Sequence, residues 1–250
     1  MKMKVIVNAD DFGYSKGQNL GILDCFQEGI VSSASLMVNM PGFEHAISLM
    51  KQYSILKVGL HFVMTVGKPV SDAKGLTNEQ GYFDKNLNRL EQASQDEIEK
   101  EYRAQLNKFL ETGFIPNHLD YHVSCNQKQY EVIMKLAKEY HIPIRATSKE
   151  IENLANEQGI LYSQNFTEDF YDQGVSLETL INIFENNKEK KLIEIMCHPA
   201  FVDATILKNS SYNIQRAYEK EILTSQVVKD YLKEHKDIEI ISYNDLKIEL

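Results

Sequence analysis

The chain alternates between short apolar segments and longer segments in which apolar residues recur every three or four positions. The short segments, such as KVIVN at residues 4–8, are rich in β-branched residues on both faces, as strands buried in a parallel sheet are. The longer segments have the period of amphipathic helices. The pattern predicts strands at residues 4–8, 33–38, 57–62, 117–121, 142–146, 191–198 and 238–242, and helices at residues 16–28, 43–52, 94–111, 127–140, 177–186 and 214–233.

About seven strand–helix units follow one another without a repeat or linker. Such alternation implies parallel strands joined by crossover helices, and this number of units favours a closed or nearly closed barrel. We therefore predict an α/β fold, a distorted TIM-barrel-like parallel (β/α) barrel, with residues 1–250 as a single domain. An open doubly wound sheet is the alternative, but the first strand lacks the glycine-rich phosphate turn typical of nucleotide-binding sheets.

Two glycine-containing regions interrupt or end the predicted helices. Residues 65–93 contain Gly67, Pro69 and Gly81 with little periodicity, which predicts an extended loop, a candidate lid over a site. Gly29 follows the first predicted helix and is expected to end it with left-handed geometry.

Composition and charge narrow the classes of partner. The chain is 43% hydrophobic and 25% charged, an ordinary globular mixture that can bury a core. A net charge of −9 argues against nucleic acid or an anionic membrane surface as the main partner. No apolar run approaches the roughly 20 residues that span a bilayer. Three cysteines without CxxC spacing, and no apolar leader before the first strand, favour a cytoplasmic location.

Residues of the metal-ligand type stand where several predicted strands end. The carboxyl ends of parallel barrel strands open on one face, so these side chains are expected to converge. They are Asp10 and Asp11 after the first strand, His61 at the end of the third, His118, Asp120 and His122 around the fourth, and His198 after the segment KLIEIMC.

One carboxylate and two imidazoles form a suitable ligand set for a divalent ion that keeps positions open for chemistry. We interpret Asp11, His61 and His122 as these ligands. Asp10, whose side chain should point in another direction, is interpreted as the general base, and His198, held at a fixed turn before a proline, as the general acid. In isolation, an Asp-Asp pair is more often a turn or cap.

Three further residues have supporting or alternative roles. Asp120 could accept the second ring proton of a ligating histidine. His118 shares its strand face and has either a similar or a purely structural role. Arg145 either pairs with an acidic residue or binds a substrate anion.

Five motifs, VNADDFGYSKGQN, GLHFVMTVGKP, NHLDYH, IRA and MCHPAFVD, occur in this order along nearly the whole chain. With them the chain resembles the YdjC-type carbohydrate deacetylases, and more narrowly the bacterial chitooligosaccharide deacetylases of chitin degradation. The resemblance implies a barrel-like fold and a divalent metal ion, with Mg²⁺ expected and Zn²⁺ as the alternative. It also implies a homodimer that removes the N-acetyl group of N-acetylglucosamine units.

The resemblance places the metal ligands on Asp11, His61 and His122, the base on Asp10, and the histidine of the CHP motif on His198. One segment departs from the family, because many members continue DSHHHVH where this chain reads DYHVSCN. This difference lies beside the expected metal ligand His122. It leaves open the length and the phosphorylation of the sugar.

The resulting hypothesis is metal-dependent hydrolysis of N-acetylated oligosaccharides such as chitobiose, with or without a 6-phosphate, releasing acetate. Two alternatives come from other classes of protein. One is another metal-dependent barrel hydrolase, a phosphoesterase or a non-sugar amidohydrolase, since the same ligands serve several electrophiles. The other is a sugar-binding module that has lost catalysis, although no candidate base or ligand is missing here.

Overall fold

Parallel strands form one sheet in the computed structural model, which describes residues 2–84 and 87–247. The strands are β1 (Met3–Phe12), β2 (Ser33–Leu36), β3 (Val58–Phe62), β4 (Leu119–Tyr121), β5 (Phe166–Thr167), β6 (Leu192–Cys197) and β7 (Ile238–Ile241). Their order is β4-β3-β2-β1-β6-β5, and β7 pairs with the first half of β1.

The sheet curls so that its two edges approach each other. Single parallel bridges join Leu119 of β4 to Ile144, and Ile144 to Tyr162, in the segment that leads into β5. The wall between β4 and β5 thus consists of isolated bridges, whereas β1 and β6 pair over six residue pairs. The predicted parallel α/β barrel-like fold is confirmed.

Helices cover the outside of this sheet. They are α1 (Lys16–Glu28), α2 (Phe43–Gln52), α3 (Asn88–Gln92), α4 (Gln95–Leu110), α5 (Gln127–Tyr140), α6 (Lys149–Glu157), α7 (Leu177–Asn186), α8 (Ala204–Asn209), α9 (Ile214–Leu223) and α10 (Gln226–Glu234). Short 3-10 turns lie at Lys74–Leu76, Asp172–Gly174 and Tyr243–Asp245. A capping box formed by Ser94 and Glu97 opens α4.

The core explains why β1 is apolar on both faces. Val5 and Val7 pack in the main hydrophobic cluster with the helices, whereas Ile6 packs with Leu192 and Tyr243 in a smaller one. Burial of such aliphatic side chains contributes roughly 1.5–3 kcal/mol each. The central strand is therefore held from both sides, and its end is a rigid support for polar groups.

Two predicted elements differ from the structure, and several observed elements were not predicted. The single helix predicted for residues 214–233 is wrong, because the Ser225 hydroxyl accepts from the Val228 amide and starts a separate helix, α10. The strand predicted at residues 142–146 is reduced to bridges at Ile144. Helices α6 and α8 and the two-residue β5 were not predicted, since they are too short for a clear period.

Gly29 ends α1 differently from the prediction. Its φ is −123°, so the expected left-handed geometry is wrong. A Cβ at this position would lie 2.6 Å from the Leu223 carbonyl oxygen at the end of α9. Glycine is thus required by the close approach of a neighbouring helix.

The predicted loop at residues 65–93 contains a 3-10 turn, the whole of the short helix α3, and an antiparallel bridge between Thr77 and Phe83. Its residues 85 and 86 lie outside the described residues. Val66 and Leu87 line the cavity described below, which places parts of this loop over the site. Among the described helices, none has both the length and the apolar character needed to cross a bilayer.

Candidate active site

The end of β1 is irregular and carries both aspartates. Pairing between β1 and β2 shifts register between Ala9 and Phe12, and Asp11 has a left-handed φ of 66°. Successive side chains of a regular strand point to opposite faces. The irregularity breaks this alternation, and Asp10 and Asp11 both line the same cavity.

This cavity, of about 980 Å³, opens at the carboxyl ends of the strands. The predicted convergence of polar side chains is present, since Asp10, Asp11, His61, His122 and His198 all line it. Aromatic side chains form much of the remaining wall, namely those of Tyr14, Tyr121, Phe166, Tyr171 and Tyr212.

Asp11, His61 and His122 meet at one point of the cavity. Oδ1 of Asp11 lies 3.6 Å from Nε2 of His61 and 3.9 Å from Nε2 of His122. This oxygen is buried and has no hydrogen-bond partner. Atoms that share one ion through bonds near 2.1 Å lie roughly 3–3.5 Å apart, a little closer than those found here. A buried oxygen without a partner, facing two imidazole nitrogens, fits a cation.

The protonation of these groups suits such a site. Burial disfavours the charged form of Asp11, yet the nearby positive charge of Arg216 outweighs it and holds the pKa of Asp11 below its usual range. Burial lowers the pKa of His122 to about 4, which leaves a neutral imidazole near pH 7. A carboxylate and a neutral imidazole are the forms in which these residues bind metal.

Asp10 is fixed by a buried guanidinium. Arg145 donates to both carboxylate oxygens of Asp10 at 2.7 Å, and the Asn8 amide donates to Oδ1 at 2.7 Å. Arg145 also pairs with Glu194 at 2.8 Å and with Asp120 at 3.0 Å. Three buried carboxylates thus share one cation, so the guanidinium of Arg145 is engaged by the protein's own acids.

Asp120 sets the orientation of His61. Its Oδ1 lies 2.8 Å from Nδ1 of His61, and the Ser35 hydroxyl donates to its Oδ2 at 2.6 Å. Burial disfavours protonated His61, but Asp120 outweighs this effect and raises the pKa of His61. The second ring nitrogen of His61 is thereby directed toward Asp11.

His118 lies behind this arrangement. It is fully buried, stacks on the Tyr243 ring with centroids 3.8 Å apart, and its Nε2 is 3.0 Å from the Ser35 hydroxyl. A Cβ on Gly59 would lie 2.2 Å from Nδ1 of His118. His118 therefore packs against the strands and does not line the cavity.

A second group of potential ligands overlaps the first. Atoms of Asp10, His61 and Asp120 lie within 4.8 Å of one another, close enough to share an ion. In this group, however, the guanidinium of Arg145 already contacts both carboxylates, and Nδ1 of His61 is bonded to Asp120. The group with an unpartnered carboxylate oxygen is that of Asp11.

His198 follows β6, the strand that pairs with β1, and lines the cavity in front of the buried Glu219. Its backbone amide donates to Glu219, whose other oxygen accepts from the Tyr212 hydroxyl. Nδ1 of His198 is buried without a hydrogen-bond partner and lies 3.9 Å from Oε1 of Glu219. Burial lowers the pKa of His198 to about 4, so the ring is neutral near pH 7.

Arg216 joins this wall to the end of β1. It donates to Oδ2 of Asp11 at 2.8 Å, to the Gln18 side chain at 2.9 Å and to the Tyr212 carbonyl at 2.8 Å. Gln18 in turn donates to the backbone oxygens of Asp10 and Pro199. One oxygen of Asp11 is therefore occupied by Arg216, and only the other is free to face the histidines.

Sequence reasoning did not identify Arg216, Glu219 or Thr65. Arg216, Glu219 and Leu223 form the buried face of α9. Their spacing of three and four residues puts two charged side chains on the core-facing stripe, which is the signal that could have found them. Thr65 carried no such signal, because its role depends on a contact with a residue 57 positions away.

The segment that departs from the family pattern lies at the cavity wall. The hydroxyl of Tyr121 is bonded to Thr147 at 3.1 Å and to Tyr130 at 3.1 Å, and Val123 is exposed. Both Tyr121 and Val123 line the cavity. The altered residues therefore shape the space beside His122.

Glu219 provides a test of these electrostatics. Burial raises its pKa from the ordinary 4.5 to about 8, so the folded state holds a proton that the unfolded chain releases. The stability due to this proton is present below pH 4.5 and is lost as the pH rises to 8. Glutamine at position 219 cannot titrate, so Glu219→Gln is the reference. Between pH 4.5 and 8 we expect the unfolding free energy of the wild type to fall, relative to this variant, by up to about 1.4 kcal/mol per pH unit. Urea unfolding at pH 5, 6.5 and 8 measures this, and parallel curves for the two proteins would contradict it.

The structure is a parallel barrel whose strands end at an open cavity lined by buried carboxylates and imidazoles. These features define the class of α/β-barrel proteins that have a pocket of potential metal ligands at the carboxyl ends of their strands. The family described as YdjC-like protein matches residues 4–234. The chain belongs to this family, as the five motifs predicted.

Individual relatives match over nearly the whole chain. A protein of Brevibacillus brevis named carbohydrate deacetylase is 41% identical, over 98% of this chain and 100% of its own length. One of Clostridium beijerinckii with the same name is 41% identical with the same coverage. A crystal structure from Enterococcus faecalis V583, of a candidate cellobiose-phosphate cleavage protein, superposes with a TM-score of 0.90 at 31% identity, covering 98% of both chains.

Proposed function

We propose that this protein is a metal-dependent carbohydrate deacetylase, a hydrolase that removes the N-acetyl group from N-acetylglucosamine-containing oligosaccharides such as chitobiose. Relatives named carbohydrate deacetylase over nearly its whole length support the class of reaction. The observation that carries the metal dependence is the buried, unpartnered Oδ1 of Asp11, which faces Nε2 of His61 and of His122.

These three residues would hold the ion. The arrangement resembles catalytic sites with three protein ligands, which leave positions open for water and substrate. A divalent ion, Mg²⁺ or Zn²⁺, would act there as a Lewis acid toward the acetamide carbonyl and would make the attacking water more acidic. Arg216 holds the other oxygen of Asp11, so this carboxylate offers a single oxygen to the ion.

Asp10 is the proposed general base. Its carboxylate lines the cavity next to Asp11, and Arg145 and Asn8 fix it in one orientation. A base held rigidly in this way loses little entropy in the transition state. Asp10 accepts the proton of the water as its oxygen attacks the acetamide carbon. Asp120 serves this step indirectly, because it orients His61 and shares Arg145 with Asp10.

His198 is the proposed general acid. It lines the cavity directly after β6, the strand that pairs with β1, and its Nδ1 has no competing hydrogen bond. Asp10 keeps the proton of the attacking water until acetate has left and then returns it to the solvent. The free ring of His198 is neutral, and it takes up a proton from the solvent as negative charge develops beside it. It then delivers this proton to the amine nitrogen as the carbon–nitrogen bond breaks.

The aromatic wall supports a sugar as the substrate. Tyr171 stacks on Tyr212 with centroids 4.2 Å apart, and both line the cavity. Among the described lining residues, the two basic side chains, Arg145 and Arg216, are paired with carboxylates, whereas Glu168 and Asp169 are exposed. This charge favours an uncharged oligosaccharide over a phosphorylated one. The homodimer that the resemblance implies and the cytoplasmic location that the cysteines favour stay predictions.

Acetate release tests this proposal. The purified protein is stripped with a chelator and assayed on N,N′-diacetylchitobiose and on its 6-phosphate, before and after Mg²⁺ or Zn²⁺ is added. We expect activity only with metal, and a kcat/KM at least about fivefold higher for the uncharged sugar, since one like-charge contact costs about 1 kcal/mol. Full activity after stripping contradicts the metal dependence, and a preference for the phosphate contradicts the charge argument. Phosphate release without acetate would instead identify a phosphoesterase.

A further inference from the structure

The two histidines that face Asp11 differ in what their other ring nitrogen contacts. Nδ1 of His61 is 2.8 Å from the carboxylate of Asp120. Nδ1 of His122 is 2.5 Å from the hydroxyl oxygen of Thr65. Thr65 follows β3 within the loop of residues 65–93, and it is buried at the cavity wall. One histidine is thus supported by a charged group and the other by a neutral hydroxyl.

A side chain of α4 holds the segment that carries Thr65. The Gln105 amide binds both backbone groups of Val63, accepting from its N–H at 2.9 Å and donating to its carbonyl at 2.6 Å. Glu101, one turn earlier on α4, accepts from Gln105 at 2.8 Å and from the amides of Val70 and Ser71 at 2.9 Å. Both α4 side chains are fully buried. The chain from Val63 to Ser71 is therefore fastened to α4 on both sides of Thr65.

We infer that Thr65 is a positioning residue for His122, and that Gln105 acts through Thr65. A histidine that binds metal through Nε2 carries its proton on Nδ1, where a hydrogen bond fixes the tautomer and the ring rotation. The Nδ1–H group of His122 donates this hydrogen bond to the Thr65 hydroxyl. Because the hydroxyl brings no charge, it orients His122 chiefly by its position, and that position depends on the Gln105 clamp.

The inference rests on the proposed function only in taking His122 as a metal ligand. The experiment therefore measures metal binding and not activity. The Kd for Zn²⁺ is determined by competition with a chromophoric chelator, and the visible absorption of the Co²⁺-loaded protein reports the number of nitrogen ligands. Thr65→Val is expected to weaken Zn²⁺ binding by about 10- to 100-fold, as loss of a hydrogen bond to a ligating histidine does.

Two variants serve as matched controls. Thr65→Ser keeps the hydroxyl and is expected to retain wild-type affinity and the wild-type Co²⁺ spectrum. Thr147→Val removes a hydroxyl from the same cavity, where it contacts Tyr121 and Tyr130 and no histidine, so the metal affinity should not change. Thermal unfolding of the metal-free proteins identifies any variant that fails to fold.

The role of Gln105 is tested with a double-mutant cycle. Gln105→Leu leaves the backbone of Val63 without its clamp and should weaken Zn²⁺ binding, whereas in the Thr65→Val background the same change should have little further effect. Additive losses would overturn the assignment of Gln105.

A folded Thr65→Val protein with wild-type affinity, or a loss that Thr65→Ser does not rescue, would overturn the assignment of Thr65. A wild type that binds no metal would overturn it as well. Conversely, a wild type that binds metal and fails to release acetate refutes the proposed function, while the Thr65 variants still decide this inference.

Discussion

The double change His61→Ala, His122→Ala is expected to abolish stoichiometric metal binding and to lower kcat/KM for acetate release by on the order of 10³-fold or more. The physical reason is that two of three proposed ligands are removed, leaving Asp11 with Arg216 as its only close charged partner among those described. Lewis-acid stabilisation of the transition state amounts to several kcal/mol, and each 1.36 kcal/mol is a factor of ten in rate. Metal content after dialysis and the initial rate of acetate release measure both effects.

Folding must be separated from metal loss in this experiment. Removal of His61 leaves a buried oxygen of Asp120 without its partner, which destabilises the protein by roughly 1–3 kcal/mol. The single change His122→Ala avoids this, because only the neutral Thr65 hydroxyl loses a partner. His235→Gln is the control, since that ring stacks on Tyr231 at the end of α10. A double variant that still holds one equivalent of metal would disprove the ligand assignment.

Asp10→Asn should lower kcat by about 10²- to 10⁴-fold, the usual contribution of a general base, while leaving metal bound. Asparagine has the shape of aspartate and keeps one oxygen for Arg145, but it cannot accept the proton of water. Arg145 retains Asp120 and Glu194 as charged partners, so the buried cation stays compensated. Pre-steady-state acetate release and metal content together check this expectation.

Asp120→Asn gives the comparison for that result. Asp120 also contacts Arg145 but lies behind His61, so its change should weaken metal affinity as well as turnover. If Asp10→Asn retains wild-type kcat, Asp10 is not the base. If it loses metal together with activity, Asp10 belongs to the ligand set, as the overlapping group of Asp10, His61 and Asp120 would have it.

The architecture and the place of the site could be predicted because both follow from local patterns. Apolar segments such as residues 4–8 and 191–198 are distinct from the amphipathic helices between them, and parallel topology requires their carboxyl ends to open on one side. Polar residues at those ends, such as Asp10 and His61, therefore had to converge. The cavity that they line lies at the carboxyl ends of the strands, as the sequence predicts.

The partners within the site could not be predicted, because they come from distant parts of the chain. Arg216 reaches Asp11 across 205 residues, and Glu219, on the same helix α9, contacts the amide of His198. The sequence places these residues on the core-facing stripe of an amphipathic segment but does not show which residues they contact. Similarly, the break between α9 and α10 depends on a single serine cap, whose local preference competes with a continuous helix.

The left-handed backbone at Asp11 has a consequence for how this protein could change. Aspartate tolerates this conformation better than most residues, though at some cost, and glycine tolerates it freely. Glycine at position 11 would relax the chain while deleting the carboxylate, and glutamate would keep the charge while adding strain. Because Asp11 also pairs with the buried guanidinium of Arg216, glycine at this position would leave a buried cation without its carboxylate, at a larger cost than the relaxed backbone would return. The same aspartate thus offers one oxygen to the cavity and stabilises the fold with the other.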